Sequence, residues 1–265
     1  GVRLVGSEMC IRDSSKSSQA TSRQKQLDKL ELHDLPASTR KYPFIHFEEE
    51  REAGKDILRV DGISKTIDGI KILDNVTFTV NKFDKVVFLS ENDLSISTLF
   101  SILAGEMEPD AGTYTWGITT NMAYFPHNND KYFDGKENLV EWLRGFSKDP
   151  NETYVRGFLG KMLFSGDDAL KMTDVLSGGE KVRCMLSRMM LAEPNVIMLD
   201  GPTNHLDLES ISAVNEGVER YKGTVLLTTH DHQFMQTVGN RIIDIDSKIL
   251  EDKEISYEAY LEEKL

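Results

Sequence analysis

The sequence predicts an α/β fold with a parallel core sheet, a smaller antiparallel sheet and a helical part. Three short apolar runs, 85–90, 196–200 and 224–230, each end in a polar residue. Buried parallel strands have this form, with ligand chemistry at their carboxyl ends. Two alternating runs, 57–64 and 72–80, are typical of antiparallel strands. Apolar residues recur with helical spacing between residues 138 and 191, which predicts a helical subdomain.

Composition narrows the class of protein. The 265 residues, 39% of them hydrophobic, suffice for one large α/β domain and an extension. No apolar run approaches the roughly 20 residues that span a bilayer, so no membrane domain is expected. Cys10 and Cys184 form neither a disulfide framework nor a metal motif, which favours a cytoplasmic location. The net charge of −13 argues against a general nucleic-acid coat.

A strong helix-start signal stands at Ser177. Glu180 follows with the spacing of a capping box, ahead of an amphipathic run. Gly178 and Gly179 occupy the first turn, where each glycine costs about 1 kcal/mol relative to alanine. Glycine lets a ligand approach the backbone, and free N–H groups at a helix start favour phosphate. The helix start is therefore a candidate phosphate contact, and a capped helix without a ligand is the alternative.

Two segments carry a family resemblance. They read Val-Leu-Ser-Gly-Gly-Glu-Lys-Val-Arg at 175–183 and Val-Ile-Met-Leu-Asp-Gly-Pro-Thr-Asn-His-Leu-Asp at 196–207. The pair resembles the signature helix and the Walker B strand of an ATP-binding cassette. The sequence of residues 202–207 resembles that of the ABC-F branch, whose members act on ribosomes. The resemblance implies a P-loop NTPase cassette fold over residues 51–265, with ATP and Mg²⁺ as cofactors.

The resemblance also implies roles for single residues. In this sequence the signature comprises Leu176, Ser177, Gly178, Gly179 and Glu180. Asp207 takes the D-loop position and His230 the switch position, while Asp200 and Ser97 are expected to hold Mg²⁺ weakly.

The phosphate loop departs from the family pattern G-x-x-x-x-G-K-[ST]. The aligned nucleotide-binding positions are Ser90, Glu91, Asn92, Asp93, Ser95, Ile96, Ser97 and Thr98. Ile96 replaces the lysine, and an ammonium about 4 Å from a phosphate oxygen is worth about 4 kcal/mol at an effective dielectric of 20. Asp93 adds a negative charge where the family has a further glycine. Weak nucleotide binding is expected here.

Other nucleotide contacts are also replaced. Gly201 stands where the family has the carboxylate that polarises the attacking water, and loss of a positioned base costs about 10²- to 10⁴-fold in rate. His127 replaces a glutamine, and Ile67 falls where an aromatic ring stacks on adenine. Because family sites combine the Walker motifs of one cassette with the signature of another, this signature would complete the site of an upstream cassette.

The first 50 residues have a separate interpretation. Residues 1–14 lack helical periodicity and resemble a cloning or adapter translation, so they are interpreted as non-native. Residues 15–50 resemble the tail of the helical linker that joins two ABC-F cassettes. Its basic residues are expected to contact ribosomal RNA; they are Lys16, Arg23, Lys25 and Lys29.

Two other functions remain open. A nucleotide-binding subunit of a membrane transporter shares the fold, and a cassette that no longer binds nucleotide would be a pure interaction module. Sequence error is a further explanation of the replaced motif positions, although it would have to alter several separate positions and leave the signature intact.

Overall fold

Nine strands and seven α-helices form the described part of the chain, residues 42–245 and 250–264 of the computed structural model. The strands are β1 (Asp56–Ile67), β2 (Ile70–Asn81), β3 (Lys85–Leu89), β4 (Ala111–Trp116), β5 (Met122–Phe125), β6 (Val196–Asp200), β7 (Thr224–Thr228), β8 (Arg241–Asp244) and β9 (Glu251–Lys253). The helices are α1 (Asp93–Leu103), α2 (Leu139–Arg144), α3 (Glu152–Lys161), α4 (Gly178–Leu191), α5 (Leu208–Arg220), α6 (His232–Val238) and α7 (Tyr257–Lys264).

The central sheet has six strands in the order β5-β6-β7-β3-β8-β9. All neighbouring strands run parallel except β8 and β9. Every residue of β6 is buried, because helices cover both faces of a parallel sheet. The three apolar runs therefore form the parallel core strands that the sequence predicts. Their carboxyl ends place Ser90, Asp200 and Thr229 at one edge of the sheet.

The second sheet is antiparallel, with the order β2-β1-β4. It packs on the central sheet through aromatic rings. Phe78 of β2 meets Phe88 of β3 edge-on with ring centroids 5.5 Å apart, and Phe88 meets Phe100 of α1 at 5.2 Å. Edge-to-face pairs of this kind stabilise by about 0.5–1.5 kcal/mol beyond their buried area. The contacts fix α1, and with it the loop that precedes α1, against the sheet.

Helices α2 to α4 form the helical part predicted for residues 138–191. Short 3₁₀ turns connect them at Gly166–Leu170 and Thr173–Val175. Phe133 stacks on Trp142 with ring centroids 4.8 Å apart, and the Trp142 indole N–H donates to the Tyr132 carbonyl at 2.7 Å. The long helix α4 contributes eight buried residues, so it is anchored along its length.

The compact unit begins at Tyr42, earlier than the boundary at residue 51 expected from the sequence. Residues 42–49 have no helix; Ile45 and Phe47 are buried in the core, and Phe47 meets Tyr221 edge-on. This end of the expected helical linker is therefore a non-helical segment that packs Ile45 and Phe47 into the cassette core. Residues 1–41, including the segment 1–14 that is expected to be non-native and the four basic residues of the expected linker, lie outside the described residues.

The C-terminal residues fold onto the sheet. Arg241 is 6% exposed and forms ion pairs with Asp84 and with Asp252 of β9, both at 2.6 Å. Tyr260 of α7 donates a hydrogen bond to Asp244 at 2.5 Å. Residues 250–264 thus contribute the strand β9 and the helix α7. Within residues 42–245 and 250–264, no helix is long and apolar enough to cross a membrane.

Candidate functional site

The loop between β3 and α1 is closed by its own side chains. Asn92 caps α1: its side-chain oxygen accepts from Leu94 N at 3.1 Å, and its carbonyl accepts from Ser95 N at 2.8 Å. The Asn92 N–H donates to Ser90 Oγ at 3.0 Å. A backbone site that binds phosphate needs free N–H groups and alternates residues of right- and left-handed conformation. Residues 90–98 contain no residue with positive φ. The loop therefore fits a triphosphate poorly.

The helix behind this loop directs most candidate side chains into the core. Ser95, Ile96 and Thr98 are 5%, 2% and 2% exposed. Ile96 packs in the cluster that contains Leu99 and Phe100. Glu91 is exposed to solvent, whereas Ser97 faces a cavity. The lysine position of the family pattern is thus occupied by a core residue that has no charge to offer a phosphate.

A cavity of about 580 Å³ lies between the start of α1 and the segment after β5. Its ionisable lining residues are predominantly acidic: Asp93, Glu106, Asp130 and Asp200 outnumber Lys131 and His127. Glu106 and Asp130 form ion pairs at 2.6 Å with Lys131 and Lys181, so Asp93 and Asp200 are the lining carboxylates that would repel a phosphate group. No residue from 176 to 180 lines the cavity, so the start of α4 lies outside the cavity beside the loop that precedes α1.

Asp200 is the group in this cavity that suits a metal ion. It is 2% exposed at the end of β6, and its pKa is raised chiefly by burial, against the effect of a hydrogen bond from Ser97. One carboxylate oxygen lies 3.7 Å from His127 Nδ1, and the other has no partner among the described residues. An unpartnered buried carboxylate oxygen beside a hydroxyl fits Mg²⁺, which prefers oxygen ligands. The structure thus brings Asp200 and Ser97 together, as the sequence predicts.

The residues expected to support hydrolysis are arranged around Asp93. His230 lies on the loop after β7, and its Nε2 is 3.2 Å from the Asp93 carboxylate, a pairing that sequence reasoning missed. Gly201 has φ +60°, and an added Cβ would meet Asn204 Nδ2 at 2.6 Å and His127 Nδ1 at 3.3 Å. No general base occupies this position, and the surrounding atoms leave little space for one.

The start of α4 has the predicted capping box. The Ser177 backbone N–H donates to Glu180 at 2.9 Å, and the Glu180 N–H donates back to Ser177 Oγ. Lys171 adds an ion pair at 2.9 Å. Partial burial raises the pKa of Glu180, but the hydrogen bonds from Lys171 and Ser177 outweigh it and lower the pKa to about 2. The carboxylate is therefore fixed and charged. Leu176 is buried beneath the helix start.

The glycines of this helix start face His205, a contact with no signal in the sequence. An added Cβ on Gly178 would lie 3.2 Å from His205 Cβ, and one on Gly179 would lie 2.9 Å from the His205 carbonyl oxygen. His205 has φ +63°, a left-handed conformation that costs a non-glycine residue about 1–3 kcal/mol. Asp207, two residues later, caps α5 by accepting from Ser210 N at 2.7 Å.

Comparison with known proteins identifies the architecture. Residues 73–204 match the ABC transporter family. The chain is 56% identical over 252 residues to the uncharacterized ABC transporter ATP-binding protein YkpA of Bacillus subtilis (strain 168), covering 94% of the chain and 47% of YkpA. It is 28% identical to ABC transporter F family member 5 of Arabidopsis thaliana, covering 95% of the chain and 37% of that protein. The chain thus spans 47% of the length of YkpA and 37% of the length of the Arabidopsis protein.

A solved structure supports the same fold. It shows the ATP-binding cassette MJ0796 in a dimeric post-hydrolysis state bound to ADP and Pi; the TM-score is 0.62 at 17% identity, covering 75% of this chain and 99% of that one. The fold expected from the sequence is confirmed. The chain carries an ATP-binding cassette of the ABC transporter class whose homologues include members of the ABC-F family.

Proposed function

We propose that this chain is the second cassette of an ABC-F ATPase that acts on the ribosome in the cytoplasm. In this proposal it donates its signature helix to an ATP site whose phosphate loop lies in an upstream cassette. The observation that carries the proposal is the contrast between two helix starts of the same chain. The start of α4 retains a capping box and two glycines, whereas the loop before α1 is closed by Asn92.

The signature helix can bind phosphate through its backbone. Ser177 and Glu180 satisfy each other's N–H groups, which leaves the first-turn N–H groups of Gly178 and Gly179 for a ligand. The positive end of the helix dipole adds to this attraction. Because α4 is buried along most of its length, these donors are held in place before a ligand arrives. Preorganised donors of this kind stabilise developing negative charge efficiently.

The site around Asp200 in this chain is suited to a structural role in the cassette rather than to ATP turnover. Ile96 supplies no cation, and Gly201 supplies no base. Asp200 and Ser97 retain oxygen ligands for Mg²⁺, which neutralises phosphate charge when it is bound. Closure of the two cassettes would then depend on ATP at the other site, and the ribosome would respond to that conformational switch.

Substitution of the signature serine tests the proposal. Ser177→Arg in the complete two-cassette protein is expected to lower ATP turnover by at least about 100-fold, because a bulky cation at the helix start blocks approach of the γ-phosphate. Ser97→Ala, in the first two turns of α1, is expected to change turnover by less than about threefold. Phosphate release at saturating MgATP measures both effects.

A matched control separates blocking from loss of a cap. Asn151 caps α3 by accepting from Thr153 N at 2.9 Å, so Asn151→Arg makes an equivalent change away from the signature. It should retain turnover, while the lost cap costs about 1 kcal/mol of stability. Equal losses from Ser177→Arg and Ser97→Ala would show that the loop around Ile96 carries catalysis, and the proposal would fail.

Ribosome association is tested through the basic residues before the cassette. Replacing Lys16, Arg23, Lys25 and Lys29 with Gln should weaken co-sedimentation with ribosomes. The slope of log affinity against log salt concentration should become shallower by up to about 3, because fewer counterions are released when fewer phosphate contacts form. A charge-conserving control exchanges Lys for Arg and Arg for Lys at the same four positions. Unchanged co-sedimentation and salt slope in the Gln variant would refute an RNA contact by these residues.

The second candidate function is an interaction module that binds no nucleotide. The self-capped loop and the core position of Ile96 favour it. A titration of the complete protein with a fluorescent ATP analogue distinguishes the candidates: the ATPase proposal expects saturable binding that Ser177→Arg weakens, and the module expects that Ser177→Arg leaves any binding by the upstream cassette unchanged. A transporter subunit is less favoured, because the sequence of residues 202–207 resembles that of ABC-F proteins.

A further inference from the structure

The left-handed residue His205 joins two functional segments of this chain. It lies in the loop 201–207, which begins at the carboxyl end of β6 beside Asp200 and ends at the cap of α5. Its Cβ and ring Cγ lie 3.2 Å from the position of a Cβ on Gly178, and its carbonyl oxygen lies 2.9 Å from that of a Cβ on Gly179. The loop thus rests directly on the glycine face of the signature helix.

Hydrogen bonds connect the loop within itself and to the segment after β7. Asn204 N donates to the Gly201 carbonyl at 3.1 Å, and Leu206 N donates to the Thr203 carbonyl at 3.3 Å. The Thr203 and Thr229 hydroxyls are 3.1 Å apart and link the loop to the segment that carries His230. A strained residue within a well-connected loop persists only when its surroundings fix it, and such residues cluster at functional positions.

We infer that His205 is a positioning residue that locks loop 201–207 to Gly178 and Gly179. The contact sets the position of the signature N–H donors, which lie outside the cavity at Asp200. This inference rests on the proposed function, since the signature is taken to serve the ATP site of the upstream cassette.

The two glycines provide a matched pair for the test. A methyl group on Gly178 meets the side chain of His205, so His205→Gly removes the obstacle. A methyl group on Gly179 meets the main-chain oxygen of His205, which remains in every variant. His205→Gly also keeps the left-handed backbone, because glycine adopts positive φ without strain.

The experiment measures ATP turnover of the complete protein, normalised to the folded fraction, for Gly178→Ala and Gly179→Ala with and without His205→Gly. Each Ala variant alone should lose about tenfold in turnover, and His205→Gly alone a few-fold. His205→Gly should restore Gly178→Ala to the level of His205→Gly alone, and it should leave Gly179→Ala low. A merely structural role for His205 does not produce this selective rescue.

Two results would overturn the inference: His205→Gly with full turnover, or equal behaviour of the two Ala variants in its presence. A second measurement separates this failure from failure of the proposed function. Amide exchange at Gly178 and Gly179 in the complete protein should accelerate at least about fivefold in His205→Gly. Accelerated exchange together with undiminished turnover in Ser177→Arg would retain the contact and refute signature donation, whereas unchanged exchange would refute the positioning role itself.

Discussion

The starts of α1 and α4 both have a polar side-chain cap, but they differ in how well a phosphate can approach their N–H groups. Each helix has a polar side-chain cap, Asn92 in α1 and Ser177 in α4. At α1 the cap is followed by the acidic Asp93 and by core residues. At α4 it is followed by two glycines, and the acidic residue Glu180 is paired with the cap and with Lys171. A helix dipole alone therefore does not make a phosphate site; the residues of the first turn decide whether its donors are accessible.

Restoring the missing charge at α1 tests whether the comparison depends on one residue. Ile96→Lys is expected to lower the free energy of unfolding of this chain by about 4 kcal/mol, because an ammonium replaces a side chain that is 2% exposed in an apolar cluster. It should create no MgATP binding, since Asn92 still closes the loop. Urea unfolding and a nucleotide titration provide the two measurements.

The control is Leu94→Lys on the same helix, where the side chain is 48% exposed. Its unfolding free energy should change by no more than about 0.5 kcal/mol. Tight MgATP binding by Ile96→Lys with unchanged stability would contradict the distinction between the two helix starts.

The missing base is the second way to test the comparison. Gly201→Glu is expected to lower stability by about 2 kcal/mol, because the residue has φ +60° and a Cβ would approach Asn204 closely. Phosphate release from this chain should stay far below about 1 per second, since the loop before α1 holds triphosphate poorly. Turnover near that rate would mean that α1 is a working phosphate site after all.

A glycine without these constraints serves as the control. Gly157 lies in α3, and nothing is within 4 Å of an added Cβ. Gly157→Ala should therefore raise the unfolding free energy by up to about 1 kcal/mol.

The smallest expected effect concerns the pH dependence of the α4 cap. The pKa of Glu180 is lowered from 4.5 to about 2, so its charged form stabilises the folded state. This stability is fully present above pH 4.5 and is lost as the pH falls toward about 2. Glu180→Gln should therefore cost about 1 kcal/mol near neutral pH, after allowance for solvent screening, and almost nothing at the acidic end.

The cap of α1 is the control, because it has no charge to lose. Asn92→Ala should cost about 1 kcal/mol at both ends of the pH range. Denaturant midpoints measured across this range decide the matter, and a constant cost for Glu180→Gln would contradict the assigned role of its carboxylate.

Local sequence patterns predicted much of the fold and part of the site. The apolar runs at 85–90, 196–200 and 224–230 became parallel strands, because burial on both faces requires continuous apolar residues. The capping box at Ser177 depends on contacts within one helix turn, and it formed as its spacing predicts. The cap at Asn92 has the same kind of local signal, an Asx residue before a helix.

The parallel core and the capped start of α4 follow from the amino-acid sequence, as do Ile96 and Gly201 at the positions where the family pattern has a lysine and a carboxylate, because these depend on residue type and short-range spacing. Tertiary packing was needed to show that Ile96 lies in the core, that Asp93 meets His230, that residues 42–49 form a non-helical segment with Ile45 and Phe47 buried, and that His205 rests on Gly178 and Gly179. These contacts join residues far apart in the chain, and their geometry is set by the packing of sheets and helices around them.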